Sequence, residues 1–268
     1  MGTRACDYTT DELMVVTLAR QFRSEDIVLN GTVSFIPVAA ILLARATHAP
    51  GLTWVAGAVG VDAQPEPIIG NTLDPTMWKR CVMYLPQEHM WSYVHRGVLE
   101  TFCIRGAQID KYGNVNNTVI GDYARPKVRL PGSAGMGDMG SLDKRIFIWT
   151  TAHTPRTFVE RVDFRSCAGY LDGGDSRERL GLKNGPQLVI TNLCVMDFEP
   201  ESKHMRLKSV HPGVTVEDVQ AQTGFPLIIP RGVPQTEPPT IEELRLLREV
   251  IDPHGMRRRE FPATAKRG

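Results

Sequence analysis

Short apolar runs alternate with helix-like segments along this chain, and that alternation limits the folds open to it. Ile27-Val28-Leu29 and Ile146-Phe147-Ile148-Trp149 are rich in β-branched and aromatic residues, as is typical of buried strands. Between such runs, Thr9-x-x-Glu12 resembles a capping box, and apolar residues recur at helical spacing from Leu13 to Phe22. Strands that alternate with helices favour an α/β protein with an open, largely parallel sheet covered by helices.

Two further helices are expected, one within the first fifty residues and one near the C-terminus. Proline is favoured in a first helical turn, so a second helix is predicted from near Pro37 through Ala46. Thr240-x-x-Glu243 opens a final helix, which Pro253 ends. We see no domain boundary and expect one domain over residues 1–256, followed by a basic, disordered tail over 257–268.

Composition excludes several classes of function. A formal net charge of +1 does not provide the strong positive potential that would attract nucleic acid or an anionic membrane surface. The longest apolar stretch, Phe35 to Ala44, contains Pro37 and is shorter than the roughly 18–20 residues that span a bilayer. The acidic N-terminus lacks a secretory apolar region, and the 5 cysteines lack metal or disulfide spacing. These features predict a cytoplasmic enzyme subunit that binds neither nucleic acid nor membrane.

The segment from Gly106 to Thr118 is the strongest candidate for a functional site. Side chains with amide or carboxylate groups surround what reads as one sharp turn at Gly113, namely Gln108, Asp110, Asn114, Asn116 and Asn117. An apolar run, Phe102-Cys103-Ile104, leads into the turn. Polar groups just beyond a strand of an α/β sheet usually line a ligand crevice. Such residues also stabilise turns through their own backbone, and that alternative stays open.

Other motifs give weaker indications. The run Gly135-x-Gly137-x-x-Gly140 lacks the long following helix of a dinucleotide fingerprint, because a strand-like run begins soon after Lys144. A flexible surface loop is the alternative interpretation of this run. His89 and His95 lie in an aromatic, Met-rich segment, but a single histidine is more often structural. No metal-ligand spacing is present, so a metal site is not expected.

Several long motifs, in one order, resemble the β subunit of glutaconate CoA-transferase and the wider family I CoA-transferases. They cover roughly Tyr8 to Pro253 and include residues 106–118, 120–123, 126–127, 177–182, 185–191 and 211–219. The resemblance implies a three-layer CoA-transferase-like architecture and an α-type partner subunit in an α2β2 heterotetramer. It also implies an acyl-CoA substrate, with coenzyme A as part of the substrate and no permanently bound cofactor.

One departure from the family pattern concerns the nucleophile. Members use a β-subunit glutamate that attacks the acyl-CoA carbonyl and then carries coenzyme A. Counted without gaps from Ala49-Pro50, the place of this glutamate falls on Gly57. Asp62 matches a separate family aspartate, and Glu66 lies too far along the chain to replace the nucleophile. Glycine cannot perform nucleophilic catalysis, so the usual double displacement is not expected from this chain.

Relatives without the glutamate indicate what the chain could do instead. One is a decarboxylase with cysteine at that place, and another is a cholesterol ring-degrading CoA hydrolase with glycine there. Because no cysteine lies near Gly57, the resemblance favours a hydrolase of the C–C or ring-opening type, or a lyase. A true CoA-transferase with its nucleophile supplied elsewhere, and a non-catalytic scaffolding subunit, remain as alternatives.

The resemblance also implies roles for individual residues. The catalytic base would come from the α-type partner, while this chain positions the acyl group through Gln108, Asp110, Asn114 and Asn116. Gly57 would leave room for a bulky acyl portion. Groups that would contact the substrate or its coenzyme A are Gly113, Arg125, Lys127, Arg129, Gly135 and Gly137.

Overall fold

The computed structural model describes residues 2–31, 33–65, 67–68, 74–142, 144–182 and 184–261. Glu66 and residues 262–268 of the expected tail lie outside these ranges. The chain divides into two compact units, unit 1 over Met1–Cys103 with Glu237–Gly268 and unit 2 over Ile104–Thr236. The expectation that residues 1–256 act as one domain stays a prediction.

Unit 1 is built on short strands that pair in parallel at its centre. They are β1 (Ile27–Asn30), β2 (Thr53–Ala56), β3 (Gly60–Val61), β4 (Met83–Tyr84) and β5 (Thr101–Arg105), within which the chain passes into unit 2. β1 pairs in parallel with both β2 and β5. β3 is antiparallel to β2, and β4 is antiparallel to β3 at the edge of the sheet.

The helices of unit 1 confirm the predicted start signals. They are α1 (Thr10–Ala19), α2 (Phe35–Ala46), α3 (Gln87–His95) and a C-terminal helix, Ile241–Arg245, that continues as a π-helix over Leu246–Ile251. A 3₁₀ helix spans Pro75–Trp78. The Glu12 carboxylate accepts a hydrogen bond from the Thr9 backbone N–H at 3.0 Å, as the capping-box pattern predicted. α1 ends at Ala19 rather than Phe22.

The disordered tail was expected to begin at residue 257, but Arg257 belongs to a buried ionic cluster. Met256–Glu260 form a 3₁₀ helix, and Arg257 is almost fully buried. Its guanidinium donates to the Glu12 carboxylate at 2.8 Å and to Asp252 at 2.9 Å. Burial alone would raise the pKa of Glu12, but hydrogen bonds from Arg248 and Thr9 and the charge of Arg257 lower it to about 2. Residue 257 therefore belongs to the core, because its charge is compensated there.

Unit 2 carries the remaining strands. These are β6 (Gln108–Asp110), β7 (Val115–Asn116), the hairpin β8 (Val119–Gly121) and β9 (Pro126–Arg129), β10 (Arg145–Thr150), β11 (Phe158–Val159), β12 (Pro186–Thr191), β13 (Cys194–Phe198) and β14 (Met205–Val210). β10 and β12 pair in parallel, whereas β12, β13 and β14 follow one another antiparallel. β6 lies between β11 and β7 in a separate small sheet.

Short helices complete unit 2: α4 (Met136–Leu142), α5 (Ser176–Arg179) and α6 (Val216–Ala221). The predicted α/β class, with a largely parallel sheet and helices, is confirmed by parallel pairing in both units. Antiparallel strands occur towards the edges, where β3, β4, β13 and β14 lie. Among the described residues, no helix is long and apolar enough to cross a membrane.

Candidate functional site

Gln108 and Asn116 face each other across the β6–β7 pair and share one hydrogen-bonded cluster. The Asn116 side-chain amide donates to Gln108 Oε1 and to the Val119 carbonyl, both at 2.7 Å. The same Gln108 oxygen accepts from the Asp163 backbone N–H at 3.0 Å. Gln108 Nε2 donates to the Asp163 carboxylate at 3.0 Å. Asp163 therefore fixes the orientation of Gln108, although no motif in the sequence singled it out.

Asp110 and Asn114 form a second cluster at the sharp turn. The Asp110 carboxylate accepts from the backbone N–H groups of Tyr112 at 3.0 Å and Asn114 at 3.1 Å, and from Asn114 Nδ2 at 2.9 Å. Asn114 Oδ1 accepts from the backbone of Gly169 at 2.9 Å and Leu171 at 3.2 Å. Burial raises the pKa of Asp110, while the hydrogen bonds from Asn114 and Tyr112 act against that shift.

Burial changes the role that the sequence predicted for these side chains. Asn114 and Asn116 are 0% exposed, Asp110 is 3% exposed and Gln108 is 7% exposed. Their polar atoms are occupied by one another and by neighbouring backbone groups. In this arrangement the four residues hold the turn in place from within unit 2, which is the alternative of turn stabilisation that the sequence left open. Positioning of the acyl group through this turn stays a prediction.

Glycines allow the close backbone approach on which the turn depends. Gly113 has φ of 70°, and a Cβ there would lie 2.7 Å from the Phe198 ring. A Cβ on Gly169 would lie 2.3 Å from the Gly113 carbonyl carbon. Any larger residue at Gly169 would therefore displace the turn. Gly113 is buried among protein atoms, and its predicted contact with substrate stays a prediction.

The half-buried end of the turn contacts the glycine-rich run. Asn117 Nδ2 donates to the Arg105 carbonyl at 2.7 Å and lies 3.5 Å from the sulfur of Met136. Thr118 Oγ1 is 2.8 Å from Ser133 Oγ and 2.7 Å from Ser166 Oγ. The structure thus brings the polar turn and the start of the glycine-rich run together, as a substrate site would require.

The glycine-rich run is helical, which corrects the alternative of a flexible loop. Met136–Leu142 form α4, with Gly135 half-buried just before it and Gly137 exposed in its first turn. A Cβ at Gly137 would meet no atom within 4 Å, whereas one at Gly140 would lie 2.4 Å from Cys167 Sγ. The outer face of this helix is therefore open, and its inner face is closely packed.

Arg177, from one of the motifs that carry the resemblance, fastens α4 to the turn. Its guanidinium donates to the carbonyls of Gly140 at 2.7 Å, Gly169 at 2.7 Å and Ala168 at 3.0 Å. The side chain is 1% exposed, and burial lowers its pKa below the usual value for arginine. Because α4 and residues 168–169 share this donor, Arg177 is a positioning residue for both.

The hairpin β8–β9 presents the predicted basic stretch to solvent. Arg125, Lys127 and Arg129 are exposed. The Arg129 guanidinium lies 5.1 Å from the centre of the Tyr123 ring, and that ring stacks on Phe164 at 5.3 Å. The hairpin is tied to the Gln108 cluster, because Asp163 Oδ2 accepts from the Gly121 N–H at 2.9 Å. Binding of a substrate carboxylate or of phosphates by this stretch stays a prediction.

Gly57 lies in unit 1, at the turn that joins β2 to β3. The Val59 N–H donates to the Ala56 carbonyl at 3.0 Å, and Gly57 and Ala58 have φ of 56° and 60°. These angles define a tight turn in the left-handed region, which glycine occupies at low cost. Gly57 itself is buried. Asp62, directly after β3, forms an ion pair with Arg45 at 3.0 Å.

Buried histidines, not exposed ones, form a polar cluster in unit 2. His89 and His95 are exposed, whereas His153 and His211 are 3% exposed. His153 contacts the hydroxyls of Thr191 at 2.9 Å and Thr223 at 3.0 Å. Burial lowers the pKa of His153 to about 3 and that of His211 to about 4. Both are therefore neutral at physiological pH and act as hydrogen-bonding core residues.

No group of three metal-ligating side chains occurs among the residues that the structure describes. The cysteines in these ranges are thiols rather than disulfides, and burial raises the pKa of the Cys194 thiol to about 12. A thiol with such a pKa is a poor nucleophile at neutral pH.

Sequence comparison connects this geometry with known enzymes. A family model described as coenzyme A transferase matches residues 12–222. The chain is 36% identical to the B subunit of 3-oxoadipate CoA-transferase from Pseudomonas knackmussii, covering 91% of this chain and 93% of the relative. It is 33% identical to the B subunit of glutaconate CoA-transferase from Acidaminococcus fermentans, covering 97% of this chain and 98% of the relative. The IpdB subunit of the cholesterol ring-cleaving hydrolase of Mycobacterium bovis is 31% identical, with 97% and 99% covered.

Solved structures share the fold over most of their length. Glutaconate coenzyme A-transferase from A. fermentans superposes with a TM-score of 0.83 at 32% identity, covering 92% of this chain and 96% of that chain. IpdAB of Rhodococcus jostii RHA1 superposes with a TM-score of 0.81 at 26% sequence identity, covering 96% of this chain and 100% of that chain. These similarities confirm the predicted CoA-transferase-like architecture.

Proposed function

Since the chain belongs to the coenzyme A transferase family, we propose that it is the β-type subunit of an enzyme that hydrolyses or cleaves an acyl-CoA without forming a glutamyl-CoA intermediate. The reaction class is a C–C or ring-opening hydrolysis, with a lyase reaction as the nearest variant. Coenzyme A enters as part of the substrate, and no resident cofactor is required. The α-type partner completes the enzyme as an α2β2 heterotetramer in the cytoplasm.

The observation that carries this proposal is the turn at Gly57. By the family resemblance, this is the place of the glutamate that would hold coenzyme A. The turn has left-handed backbone angles at Gly57 and offers no side-chain atom there. A covalent thioester cannot form on a glycine, because glycine has no side chain. A water molecule or a bulky acyl group would need only the space that the missing side chain leaves. The IpdB subunit of the ring-cleaving hydrolase is similar over 97% of this chain, which supports the same interpretation.

In the proposed reaction, a base from the partner takes a proton from water, and the resulting hydroxide attacks a carbonyl of the acyl portion. The adjacent C–C bond breaks, and its electron pair becomes the enolate of the thioester, which then takes up a proton. This chain would supply orientation and hydrogen bonds, through the Asn117 end of the turn and the open face of α4 at Gly137. Base catalysis of this kind contributes about 10²–10⁴-fold, and oriented donors about 10²–10³-fold.

Borohydride treatment during turnover tests the proposal. A glutamyl-CoA thioester is reduced by borohydride, and the enzyme is then inactivated. The assembled complex, exposed to acyl-CoA and then to borohydride, is expected to keep its activity. Glutaconate CoA-transferase, treated in parallel, serves as the positive control. Inactivation that requires acyl-CoA would refute the proposal.

A true CoA-transferase is the second candidate, because sequence identity favours it. The chain is 36% and 33% identical to the two transferase subunits and 31% identical to the hydrolase subunit. In that case the nucleophile would be supplied from elsewhere, for example by the α-type partner. Exchange of coenzyme A between two carboxylic acids would then accompany turnover. A non-catalytic scaffolding role would instead leave acyl-CoA turnover indifferent to changes around Gly137.

A further inference from the structure

Helix α2 begins without a local cap for its first turn. Side-chain oxygens of Ser, Thr, Asp or Asn normally accept hydrogen bonds from the free N–H groups at a helix start. Within the described residues, the Ser34 side chain makes no such bond, and the first turn of α2 contains no acidic residue. Ser34 and Phe35 are 2% and 5% exposed, so water has little access to the backbone there. The start of α2 therefore needs an acceptor from elsewhere in the chain.

The C-terminal end of the described chain supplies that acceptor. Glu260 Oε1 accepts from the Phe35 N–H at 2.9 Å, and Glu260 is 5% exposed. A carboxylate at this position also complements the positive end of the helix dipole. Glu260 ends the 3₁₀ helix Met256–Glu260, in which Arg257 is anchored by the buried ionic cluster. The cap is therefore held from a fixed point in the core.

The capped start of α2 follows the same edge of the sheet as Gly57. β1 and β2 run parallel with Leu29 opposite Val55, so the residues that follow the two strands emerge at the same edge. β1 leads into α2, and β2 leads into the turn at Gly57. Side chains also join the two strands near this edge, because Trp54 Nε1 donates to Asn30 Oδ1 at 2.7 Å. Ligands of open α/β sheets bind outside the carboxyl ends of the strands, which is this edge.

We propose that Glu260 is a positioning residue for the reaction at the turn around Gly57. By capping α2, its carboxylate fixes the start of this helix beside the carboxyl end of β1, and that wall bounds the space next to the turn. Glu260 does not touch the reacting atoms and acts through the Phe35 N–H. Its role in the reaction rests on the proposed function, whereas the cap itself rests on the hydrogen bond and its burial.

Substitution of Glu260 in the assembled complex tests the proposal. Glu260→Ala removes the acceptor, and kcat is expected to fall by about 10- to 100-fold, since misplacement of site groups by about 1 Å can cost about 10²-fold. KM for acyl-CoA is expected to change little, because the basic stretch proposed to contact coenzyme A lies in unit 2. Glu260→Gln keeps a side-chain oxygen that can accept from the Phe35 N–H, so it is expected to retain most of the activity. A wild-type kcat in Glu260→Ala, or an equal loss in both variants, would overturn the proposal.

Glu243→Ala is the matched control for loss of a helix-capping carboxylate. Glu243 accepts from the Thr240 N–H at 2.7 Å and pairs with Arg20 at 2.7 Å. Arg20 lies between the end of α1 and the start of β1, towards the opposite edge of the sheet. The control is expected to lose stability to urea but to keep its kcat. A loss of kcat equal to that of Glu260→Ala would assign the effect to general destabilisation and refute the positioning role.

Hydrogen exchange of the complex without substrate gives a readout that does not depend on the reaction. The Val59 N–H closes the turn at Gly57. Glu260→Ala is expected to speed exchange of the Phe35 and Val59 amides, whereas Glu260→Gln and Glu243→Ala leave both near the wild-type rate. Unchanged exchange at Val59 in Glu260→Ala would show that the cap does not reach the turn, and would overturn the proposal.

The activity assay separates this proposal from the proposed function. It follows loss of acyl-CoA in the presence of an acceptor carboxylic acid, so it detects hydrolysis and transfer alike. A transfer product would refute the proposed function, and the comparison of kcat between the Glu260 variants would still decide the positioning role.

Discussion

At the scale of single residues, the sequence located the polar turn but not its purpose. The turn at Gly113 and the participation of Asp110 and Asn114 were predicted from glycine and amide chemistry. Their burial was not, because it depends on Gly169 and Asp163, which lie far along the chain. A single sequence shows no pairing between such distant positions. The tight turn at Gly57 is compatible with the loss of a side chain that the resemblance indicated.

Replacement of Gly57 tests whether the missing side chain determines the reaction. We expect Gly57→Glu to introduce a nucleophile at the family position, so that the complex gains coenzyme A exchange and becomes sensitive to borohydride. Left-handed backbone angles at this turn cost about 1–2 kcal/mol for a residue other than glycine, which a stable core tolerates. The exchange rate of labelled coenzyme A is the measurement. Gly57→Gln has the same size without the carboxylate, and exchange by this variant would contradict the account.

Asn114→Ala tests the structural role of the polar turn. The substitution removes hydrogen bonds to Asp110, Gly169 and Leu171 and leaves their buried groups without partners. We expect the free energy of unfolding to fall by about 3 kcal/mol, since each unsatisfied buried group costs about 1–3 kcal/mol. Urea denaturation of the chain measures the change. Lys208→Ala, at an exposed position, is the control, and an Asn114→Ala chain as stable as this control would show that the network is dispensable.

At the scale of elements, residues typical of helix starts predicted the helices better than the spacing of glycines did. The capping residues Thr9 and Thr240 and the proline at position 37 predicted helices that the structure contains. A flexible surface loop was the alternative interpretation of the run from Gly135 to Gly140, because glycine-rich connections usually lie in such loops. Its helix α4 forms through tertiary contacts, with the Arg177 guanidinium bonded to the Gly140 carbonyl. Such contacts leave no local trace in the sequence.

The exposed β8–β9 hairpin predicts an electrostatic effect on substrate binding. Lys127→Ala removes an exposed charge without disturbing the hydrogen bond between Asp163 and Gly121. If the hairpin contacts phosphates of coenzyme A, KM for acyl-CoA rises several-fold at low salt and kcat is unchanged. The difference between variant and wild type should shrink as ionic strength increases, because salt screens exposed charges. Lys208→Ala controls for net charge, and an equal rise of KM in both variants would exclude a specific role.

At the scale of the whole molecule, neutral buried histidines make stability depend on pH. The folded pKa values of His153 and His211 are about 3 and about 4, whereas an unfolded histidine has a pKa near 6.5. Between these values the unfolded chain binds protons that the folded chain does not. The free energy of unfolding is therefore highest, as far as these histidines contribute, above pH of about 6.5, and it falls as the pH decreases towards about 4. Each histidine lowers it by up to about 1.4 kcal/mol per pH unit.

Urea denaturation at a series of pH values measures this dependence. His153→Gln is expected to reduce the slope below pH of about 6, since glutamine does not titrate in this range. The exposed His89 provides the control, because His89→Gln removes a histidine without removing a buried neutral one. A stability profile that is flat from pH 7 to pH 5 would contradict the burial of His153 and His211.

Intact-mass spectrometry of this chain during turnover shows whether coenzyme A is ever covalently attached to it. The assembled complex is mixed with acyl-CoA, quenched in acid within the steady state, and this chain is weighed. We expect the unmodified mass at every time point, together with release of a product that carries oxygen from labelled water. A population heavier by coenzyme A less one water, formed only with acyl-CoA and mapped to any carboxylate of this chain, would contradict this expectation.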